Sequence, residues 1–373
     1  MGKILFVGDV VIRREDSIEL ADDVKRIFSE HEYKCCNLEG PICTSEKPIN
    51  KIGPSIKQHI ASANVLREMG FNVYCLANNH IADYGISGLE QTKEVLKNEY
   101  VLGAGKTEVS VYKPIILNID GVSVGILNAA ESGFGCAETF QYGYAWINSP
   151  IFTNSIKKLK ESCTYVICVV HAGLEEFEYP LPEWKDKYRE LIDQGADMII
   201  GHHPHVLQGY EEYHGKMIFY SLGNFIWQKR DTYQTETAML SVEVTPDGMK
   251  YQIYGVDTGN NKIKMLDSNE IVNQLKNYNK VFEDREQYMK QVNEKCMALF
   301  DGFYLPMYYQ SLGICARTPR MAKLKIAVKL LINRMRPRYD VFFHNIEIET
   351  HYFASRHAAR FKYQTYFLQN ENP

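Results

Sequence analysis

Long apolar runs are missing from this 373-residue sequence. None approaches the roughly 20 residues that a membrane-spanning helix needs. Lys3 precedes an apolar stretch over residues 4–7, but Gly8 and Asp9 end it before it reaches the length of a signal-peptide core. We therefore expect a cytoplasmic protein, with peripheral contact at a membrane surface as its closest approach to a bilayer.

Strong net charge and metal-type cysteine spacings are also missing. The net charge of −4 gives no reason to expect nucleic-acid binding. The nine cysteines include no Cys-x-x-Cys spacing, and several of them lie within apolar, strand-like runs: Cys35, Cys75, Cys163 and Cys168. This pattern is typical of reduced thiols that serve as small core residues, and it favours a reducing compartment.

The most informative stretch that is present covers residues 198–205. It begins with an apolar run that predicts a buried strand, and the strand ends in a loop that carries His202, His203 and His205. Imidazole binds zinc, iron and manganese, and Pro204 is expected to hold His203 in an extended conformation. Because loop histidines are often simply solvated, this stretch alone leaves a metal site and a polar loop both open.

Polar side chains follow four other predicted strands. Residues with metal-ligand side chains come after apolar runs at positions scattered along the chain, namely Asp9, Glu39, Asn79 with His80, and His171. Because the carboxyl ends of strands in a twisted α/β sheet meet at one edge, we expect these side chains to converge with His203 and His205. One polar residue after a strand is common, but metal-ligand side chains after five separate strands are unusual.

The chemistry of this set predicts a catalytic metal centre. It mixes carboxylate, amide and imidazole donors without a thiolate, a combination that suits manganese, iron or zinc with an open coordination position. The oxygen donors leave room for one or two divalent ions, and a pair would activate water and clamp a phosphoryl oxygen. The implied chemistry is hydrolysis.

Other acidic residues near these loops are expected to be ordinary solvated side chains. The segment from 131 to 149 has no clear period and predicts a loop at the mouth of the site, in which Glu131 and Glu138 are solvated rather than catalytic. Three further acids can touch substrate or metal, although a charged loop is the commoner explanation: Glu175, Glu176 and Glu178.

The pattern becomes helical beyond residue 262. Apolar positions at helical spacing predict a helical accessory region over residues 263–373. Within it, residues 317–338 are rich in lysine and arginine and contain no acid. Such a helix can lie on an anionic membrane surface or bind an acidic polymer, or it can pack on the rest of the protein with a solvated basic face.

The ordered motifs resemble those of one known family. They are Gly8-Asp9, 37–41 (Asn-Leu-Glu-Gly-Pro), 76–80 (Leu-Ala-Asn-Asn-His), 171–173 (His-Ala-Gly), 201–206 (Gly-His-His-Pro-His-Val) and 220–225 (Tyr-Ser-Leu-Gly-Asn-Phe). Together they resemble the CapA family of poly-γ-glutamate capsule biosynthesis proteins, which is similar to the calcineurin-like metallophosphoesterases. The resemblance covers residues 1–258 and implies a four-layered α/β sandwich with a dinuclear metal site, followed here by the helical accessory region.

The resemblance also implies roles for individual residues. The implied metal ligands are Asp9, Glu39, Asn79, His171, His203 and His205. His80 would assist the leaving group, and Asp83 would orient the His80 side chain. Arg13 and Asn224 would line the substrate pocket. Val11 stands where the phosphoesterases have a histidine, so that either one ion is weakly held or Glu39 compensates.

Two functions stay open on the sequence. The leading hypothesis is a metal-dependent hydrolase that resembles metallophosphatases and acts on a phosphorylated or polyanionic substrate in capsule, exopolysaccharide or polyglutamate metabolism. The alternative is a non-catalytic polymer- or membrane-binding component of capsule assembly that retains the metal site.

Overall fold

The computed structural model describes residues 2–14, 18–138, 142–228, 235–311 and 338–370. Its contacts divide the chain into two compact units. The first consists of Met1–Ile49 and Ser55–Glu283, and the second of Asn50–Pro54 and Asp284–Pro373. The division into residues 1–258 and 263–373 stays a prediction.

Strands form the framework of the first unit. In chain order they are β1 (Lys3–Val11), β2 (Glu19–Leu20), β3 (Tyr33–Leu38), β4 (Val73–Cys75), β5 (Tyr100–Leu102), β6 (Ala104–Gly105), β7 (Ile115–Ile119), β8 (Val122–Ala130), β9 (Gly143–Tyr144), β10 (Tyr165–His171), β11 (Met198–His202), β12 (Tyr210–Tyr213), β13 (Lys216–Phe219), β14 (Asn224–Trp227), β15 (Glu236–Thr245), β16 (Gly248–Asp257) and β17 (Lys262–Met265).

Most of these strands belong to two sheets. The larger has the order β2-β17-β16-β15-β1-β3-β4-β5, with β14 also paired to β1, and the smaller has the order β12-β13-β11-β10-β8-β7. β1 runs parallel to β3 and β14, and β10 runs parallel to β8 and β11. Residues that follow β1 and β3 therefore share one edge of the larger sheet, and those that follow β8, β10 and β11 share one edge of the smaller sheet.

Helices belong to both units. They are α1 (Asp22–Ser29), α2 (Ser62–Glu68), α3 (Gly85–Val95), α4 (Glu108–Val111), α5 (Pro150–Ser162), α6 (Pro182–Asp193), α7 (Ser268–Glu283), α8 (Arg285–Leu299), α9 (Leu305–Ser311), α10 (Tyr339–Glu347) and α11 (Glu349–Asn370). A 3₁₀ turn covers Gly259–Asn261 and a π-helical turn covers Phe300–Tyr304.

Apolar cores lie on both faces of the larger sheet. Leu5 and Val7 of β1 belong to the core that includes residues of α1, α2 and α3, whereas Ile4 and Phe6 belong to the core shared with the smaller sheet. Because α5 and α6 cover the outer face of the smaller sheet, the predicted four-layered α/β sandwich is confirmed. The thiols predicted to be core residues are buried and free: Cys35, Cys75, Cys163 and Cys168.

The second unit is largely helical in its described residues after Asp284. α11 packs along α8, and α10 packs against α9, which confirms helices in the C-terminal region. Residues 317–337 of the basic stretch lie outside the described residues. None of the helices within the described ranges combines the length and the apolar character needed to cross a bilayer.

Candidate metal centre

Asp9 lies at the carboxyl end of β1 and is fully buried. In register it lies beside Asn37 of β3 and Asn224 of β14, and Asn37 Nδ2 donates to Asp9 Oδ1 at 2.7 Å. Gly8 permits the close approach of the chain at Gly223, since a Cβ at position 8 would lie 1.9 Å from the Gly223 carbonyl oxygen. Asp9 N donates to that same oxygen at 3.0 Å. The backbone therefore fixes the position of the carboxylate.

Glu39 follows β3 and is also fully buried. Neither of its carboxylate oxygens has a hydrogen-bond partner among the described residues, and His80 Nε2 and His205 Nε2 each lie 3.8 Å from Oε1. Gln58 Nε2 holds the local backbone by donating to the carbonyls of Val10 and Glu39 at 2.8 and 2.7 Å. A buried carboxylate without donors is destabilising, and a bound cation would relieve that cost.

The smaller sheet supplies the histidines. His171 ends β10 and is in register with His202 of β11. His171 Nε2 lies 3.0 Å from Asn79 Oδ1 and 2.9 Å from His203 Nδ1, and both rings are buried. Nitrogen atoms this close can share a proton or bind a common cation.

The loop after β11 has an unusual backbone conformation. The angle φ is +97° at His203 and +61° at His205, values that residues other than glycine rarely adopt. The expectation that Pro204 holds His203 extended is therefore wrong, because extended backbone has a negative φ. The turn instead brings His203 N to 3.3 Å from Asp9 Oδ2 and His205 Nδ1 to 3.0 Å from Asn224 Oδ1. Strained backbone of this kind concentrates at functional sites.

His80 lies beside Glu39 and is oriented by Asp83. His80 Nδ1 is 2.6 Å from Asp83 Oδ2, and Ile56 N donates to the same carboxylate oxygen at 2.7 Å. A proton on Nδ1 satisfies Asp83 and leaves His80 Nε2 directed toward Glu39. The predicted pair of His80 and Asp83 therefore has a geometry in which Nε2 can hold or release a proton.

Burial separates the proton affinities of the site residues. It raises the pKa of Glu39 well above the usual range and lowers the pKa of His203 to about 4. Burial alone would also raise the pKa of Asp9, but hydrogen bonds from His202 and His205 outweigh it and lower that pKa. The metal-free site at neutral pH thus contains a neutral His203 close to an ionised Asp9.

The substitution His203→Asn is expected to flatten the acid dependence of the stability of the metal-free protein. The pKa of His203 falls from 6.5 to about 4 on folding, so only the unfolded state binds this proton between those pH values. The contribution of His203 to the free energy of unfolding is therefore fully present above pH 6.5 and is lost as the pH falls towards 4. Without the imidazole ring, the decrease in the free energy of unfolding between these pH values should be smaller by on the order of 3 kcal/mol.

Urea unfolding in a chelator at pH 7 and pH 4.5 measures this difference. His214→Asn is the matched control, because the side chain of His214 is 68% exposed. An unchanged difference between the two pH values in His203→Asn would contradict the prediction.

Val11 and Arg13 lie at the end of β1. Val11 is buried and in register with Trp227, whose ring centroid lies 4.4 Å from that of His205. Position 11, where the phosphoesterases have a histidine, therefore carries an apolar side chain next to Trp227, which packs on His205. Arg13 donates through its backbone N–H to Gln228 Oε1 at 3.0 Å, and its Nε is buried without a hydrogen-bond partner among the described residues. A substrate contact of Arg13 stays a prediction.

The expectation that Glu131 is solvated is wrong. It is only 3% exposed, its Oε1 accepts a hydrogen bond from Gly173 N at 3.2 Å, and the same oxygen lies 3.5 Å from His203 Nε2. A usable signal was present in the sequence, because Glu131 directly follows β8 just as His171 ends β10. Glu138, by contrast, is exposed as expected.

Within the part of the chain that the structure describes, two groups of side chains have the donor types and spacing to hold a metal ion. Within each group the donor atoms lie within 4.8 Å of one another, and the groups are Asp9, Glu39 and His171, and Glu175, His203 and His205. Asn79 adjoins the first group through His171. The structure therefore brings the six predicted ligands together, and their mixture of oxygen and nitrogen donors fits a divalent ion such as manganese, iron or zinc.

Most of the first unit is similar in sequence to known proteins. Residues 3–229 match the family described as Bacterial capsule synthesis protein PGA_cap. The chain is 30% identical over 268 residues to the PGA biosynthesis protein CapA of Bacillus subtilis (strain 168), covering 68% of this chain and 70% of that protein. It is also 30% identical over 264 residues to the capsule biosynthesis protein CapA of Bacillus anthracis, covering 65% of this chain and 64% of that protein.

Among solved structures, the chain is similar to a 5'-nucleotidase from Candida albicans SC5314. The sequence identity is 11% and the TM-score 0.42, covering 68% of this chain and 51% of the other. The family match, in contrast, covers more than half of the chain and contains the whole set of predicted metal ligands. The chain therefore belongs to the bacterial capsule synthesis protein family PGA_cap, as its CapA-like motifs predicted.

Proposed function

We propose that this protein is a metal-dependent hydrolase that cleaves a phosphoester in capsule, exopolysaccharide or polyglutamate metabolism. The observation that carries the proposal is the carboxylate of Glu39, which is buried without a hydrogen-bond partner among the described residues and faces His80 and His205. A cation is the group that best satisfies a carboxylate in these surroundings.

The predicted ligands would hold one or two divalent ions: Asp9, Glu39, Asn79, His171, His203 and His205. Such an ion supplies Lewis-acid polarisation of a phosphoryl oxygen and activation of water at neutral pH. The protein contributes fixed donor positions, since all of these side chains except Asn79 are buried and His171 is bonded to both Asn79 and His203. Preorganised donors need little rearrangement as charge develops in the transition state.

His80 would give a proton to the leaving oxygen. Asp83 Oδ2 accepts a hydrogen bond from His80 Nδ1 and so stabilises the protonated ring and fixes its orientation, while Nε2 of His80 faces Glu39. Asn224 lies beside His205 and would bind a polar part of the substrate. Arg13 would pair with a phosphate oxygen, for which the guanidinium group is well suited.

The two Bacillus relatives are named for PGA or capsule biosynthesis, and these names support a role of this chain in the same kind of metabolism. A cytoplasmic step with a polyanionic substrate is part of the proposal. The proposed contact of the basic stretch 317–338 with a membrane surface or an acidic polymer stays a prediction.

Hydrolysis by metal-loaded protein tests the proposal. Protein stripped with a chelator and reloaded with Mn²⁺, Fe²⁺ or Zn²⁺ is expected to hydrolyse p-nitrophenyl phosphate or bis(p-nitrophenyl) phosphate, and stripped protein is not. His203→Ala should lose hydrolysis and part of its metal content, because it removes an imidazole donor. The exposed His214 provides the control, and His214→Asn should keep both.

A contrary result would be informative. Protein with full metal content that hydrolyses neither a monoester nor a diester would contradict the hydrolase. It would favour the alternative of a polymer- or membrane-binding component that retains its metal.

A further inference from the structure

The loop after β10 lies directly against the loop that carries His203 and His205. Three hydrogen bonds join the two loops, from Ala172 N to His202 O (3.0 Å), from Glu176 N to Pro204 O (2.9 Å) and from Gln208 Nε2 to Phe177 O (2.8 Å). Gly173 has a φ of +136°, and a Cβ there would lie 3.0 Å from Pro204 Cγ. A glycine therefore allows the two loops to approach this closely.

This contact places Glu175 beside two imidazoles. One carboxylate oxygen of Glu175 and one ring nitrogen each of His203 and His205 lie within 4.8 Å of one another. That spacing is close to twice a metal–ligand distance of about 2.1 Å, so small side-chain movements would bring the three atoms onto one ion. Glu175 is exposed while both histidines are buried, which leaves this side of the group open to an entering ion.

Position 11 provides no such ligand. Val11 is in register with Trp227, whose indole ring packs on the His205 imidazole. A valine side chain has no donor atom, and an indole N–H has no lone pair to offer a metal. Glu175 reaches His205 from a different loop, so its carboxylate can supply the ligand that valine at position 11 does not.

We propose that Glu175 is a metal ligand that forms, with His203 and His205, an ion position separate from the group of Asp9, Glu39 and His171. The chain then binds a pair of ions despite the valine at position 11. This inference rests on the metal site of the proposed function, but it does not depend on hydrolysis.

Metal stoichiometry tests the inference. Wild-type protein reloaded with Mn²⁺ and desalted is expected to retain about two ions per chain, the number that a clamp of paired ions requires. Glu175→Gln is expected to retain about one, because loss of a direct ligand should weaken binding by at least the roughly 10–100-fold that loss of an outer-shell partner causes. Elemental analysis gives the count, and the electron paramagnetic resonance spectrum should change from that of a coupled manganese pair to that of isolated Mn²⁺.

Glu178→Gln is the matched control. It removes the same charge from the same loop and should retain about two ions, which separates ligation from a general loss of negative charge. Circular dichroism of both variants checks that they are folded. Glu175→Gln with wild-type metal content, or wild-type protein with about one ion per chain, would overturn the inference. A coupled manganese pair in a protein without phosphoesterase activity would support Glu175 and contradict only the proposed hydrolysis.

Discussion

Replacing Glu39 by glutamine is expected to abolish the ion position that it forms with Asp9 and His171 and to stabilise the metal-free fold at neutral pH. Glutamine keeps the shape of the side chain but loses the charge that a cation needs. In the metal-free wild type, burial raises the pKa of Glu39 well above 4.5. At neutral pH, folding must therefore either bury a charge without hydrogen-bond donors or take up a proton. Glutamine requires neither.

The stabilisation by Glu39→Gln increases with pH. A carboxyl group whose pKa rises on folding favours the folded state most below its unfolded pKa, and this contribution falls as the pH rises above about 4.5. Glu39→Gln and wild type should therefore be about equally stable in chelator near pH 4.5. At pH 7 the variant should be more stable by on the order of 1–3 kcal/mol, the typical cost of a buried polar group without a partner.

Urea unfolding at both pH values, with chelator and with Mn²⁺, tests the prediction. Added Mn²⁺ should stabilise the wild type, because the ion binds the folded state, and should stabilise the variant less, because only the group of Glu175, His203 and His205 remains intact. Glu138→Gln, an exposed carboxylate, is the control and should behave as wild type in every condition. A Glu39→Gln variant that binds Mn²⁺ normally, or that is less stable than wild type in chelator at pH 7, would contradict the assignment of Glu39 as a ligand.

The residues that converge at the site could be predicted wherever they follow an apolar strand. Asp9, Glu39 and His171 each end or follow such a strand, and parallel pairing brings strand ends of this kind to one edge. The order of layers could also be predicted, because the motifs resemble a family with a known fold. Local pattern and resemblance together were therefore sufficient for the sandwich and for the first set of candidate ligands.

The residues that hold the ligands in place could not be predicted in the same way. Gln58 lies far along the chain from Val10 and Glu39, yet its buried amide joins both backbones. No local period marks a glutamine for that role, since its partners are backbone carbonyls determined by tertiary structure. Glu131 differs from Gln58, because its position directly after β8 was a usable signal; a hydrogen bond from Gly173 and the neighbouring His203 retain it inside the protein.

The backbone conformation of the loop that carries His203 and His205 was also not predicted from the sequence. The preference of a residue before proline argued for an extended His203, but φ at that residue is positive. Tertiary contacts account for the difference, because the turn allows His203 N to approach Asp9 and the Pro204 carbonyl to accept a hydrogen bond from Glu176. Local preference is overridden where several such contacts act on one short loop.

The substitution His80→Asn is expected to lower kcat by roughly 10²–10⁴-fold while leaving the metal content unchanged. His80 Nε2 lies 3.8 Å from Glu39 Oε1, and its Nδ1 is bonded to Asp83, so the ring is placed to transfer a proton. Asparagine cannot act as an acid near neutral pH. Asp83→Asn should lower kcat less, because it weakens the orientation of the ring without removing it.

The dependence on the leaving group distinguishes proton transfer from a general disturbance of the site. An alkyl or phenyl phosphate needs a proton on its departing oxygen, whereas 2,4-dinitrophenyl phosphate releases a stable anion without one. His80→Asn should therefore slow the phenyl ester much more than the dinitrophenyl ester, and His59→Asn, a half-buried histidine whose Nδ1 accepts a hydrogen bond from Ala61 N, should slow neither. Equal losses on both esters, or loss of metal from His80→Asn, would mean that His80 positions the substrate or the ion instead of donating the proton.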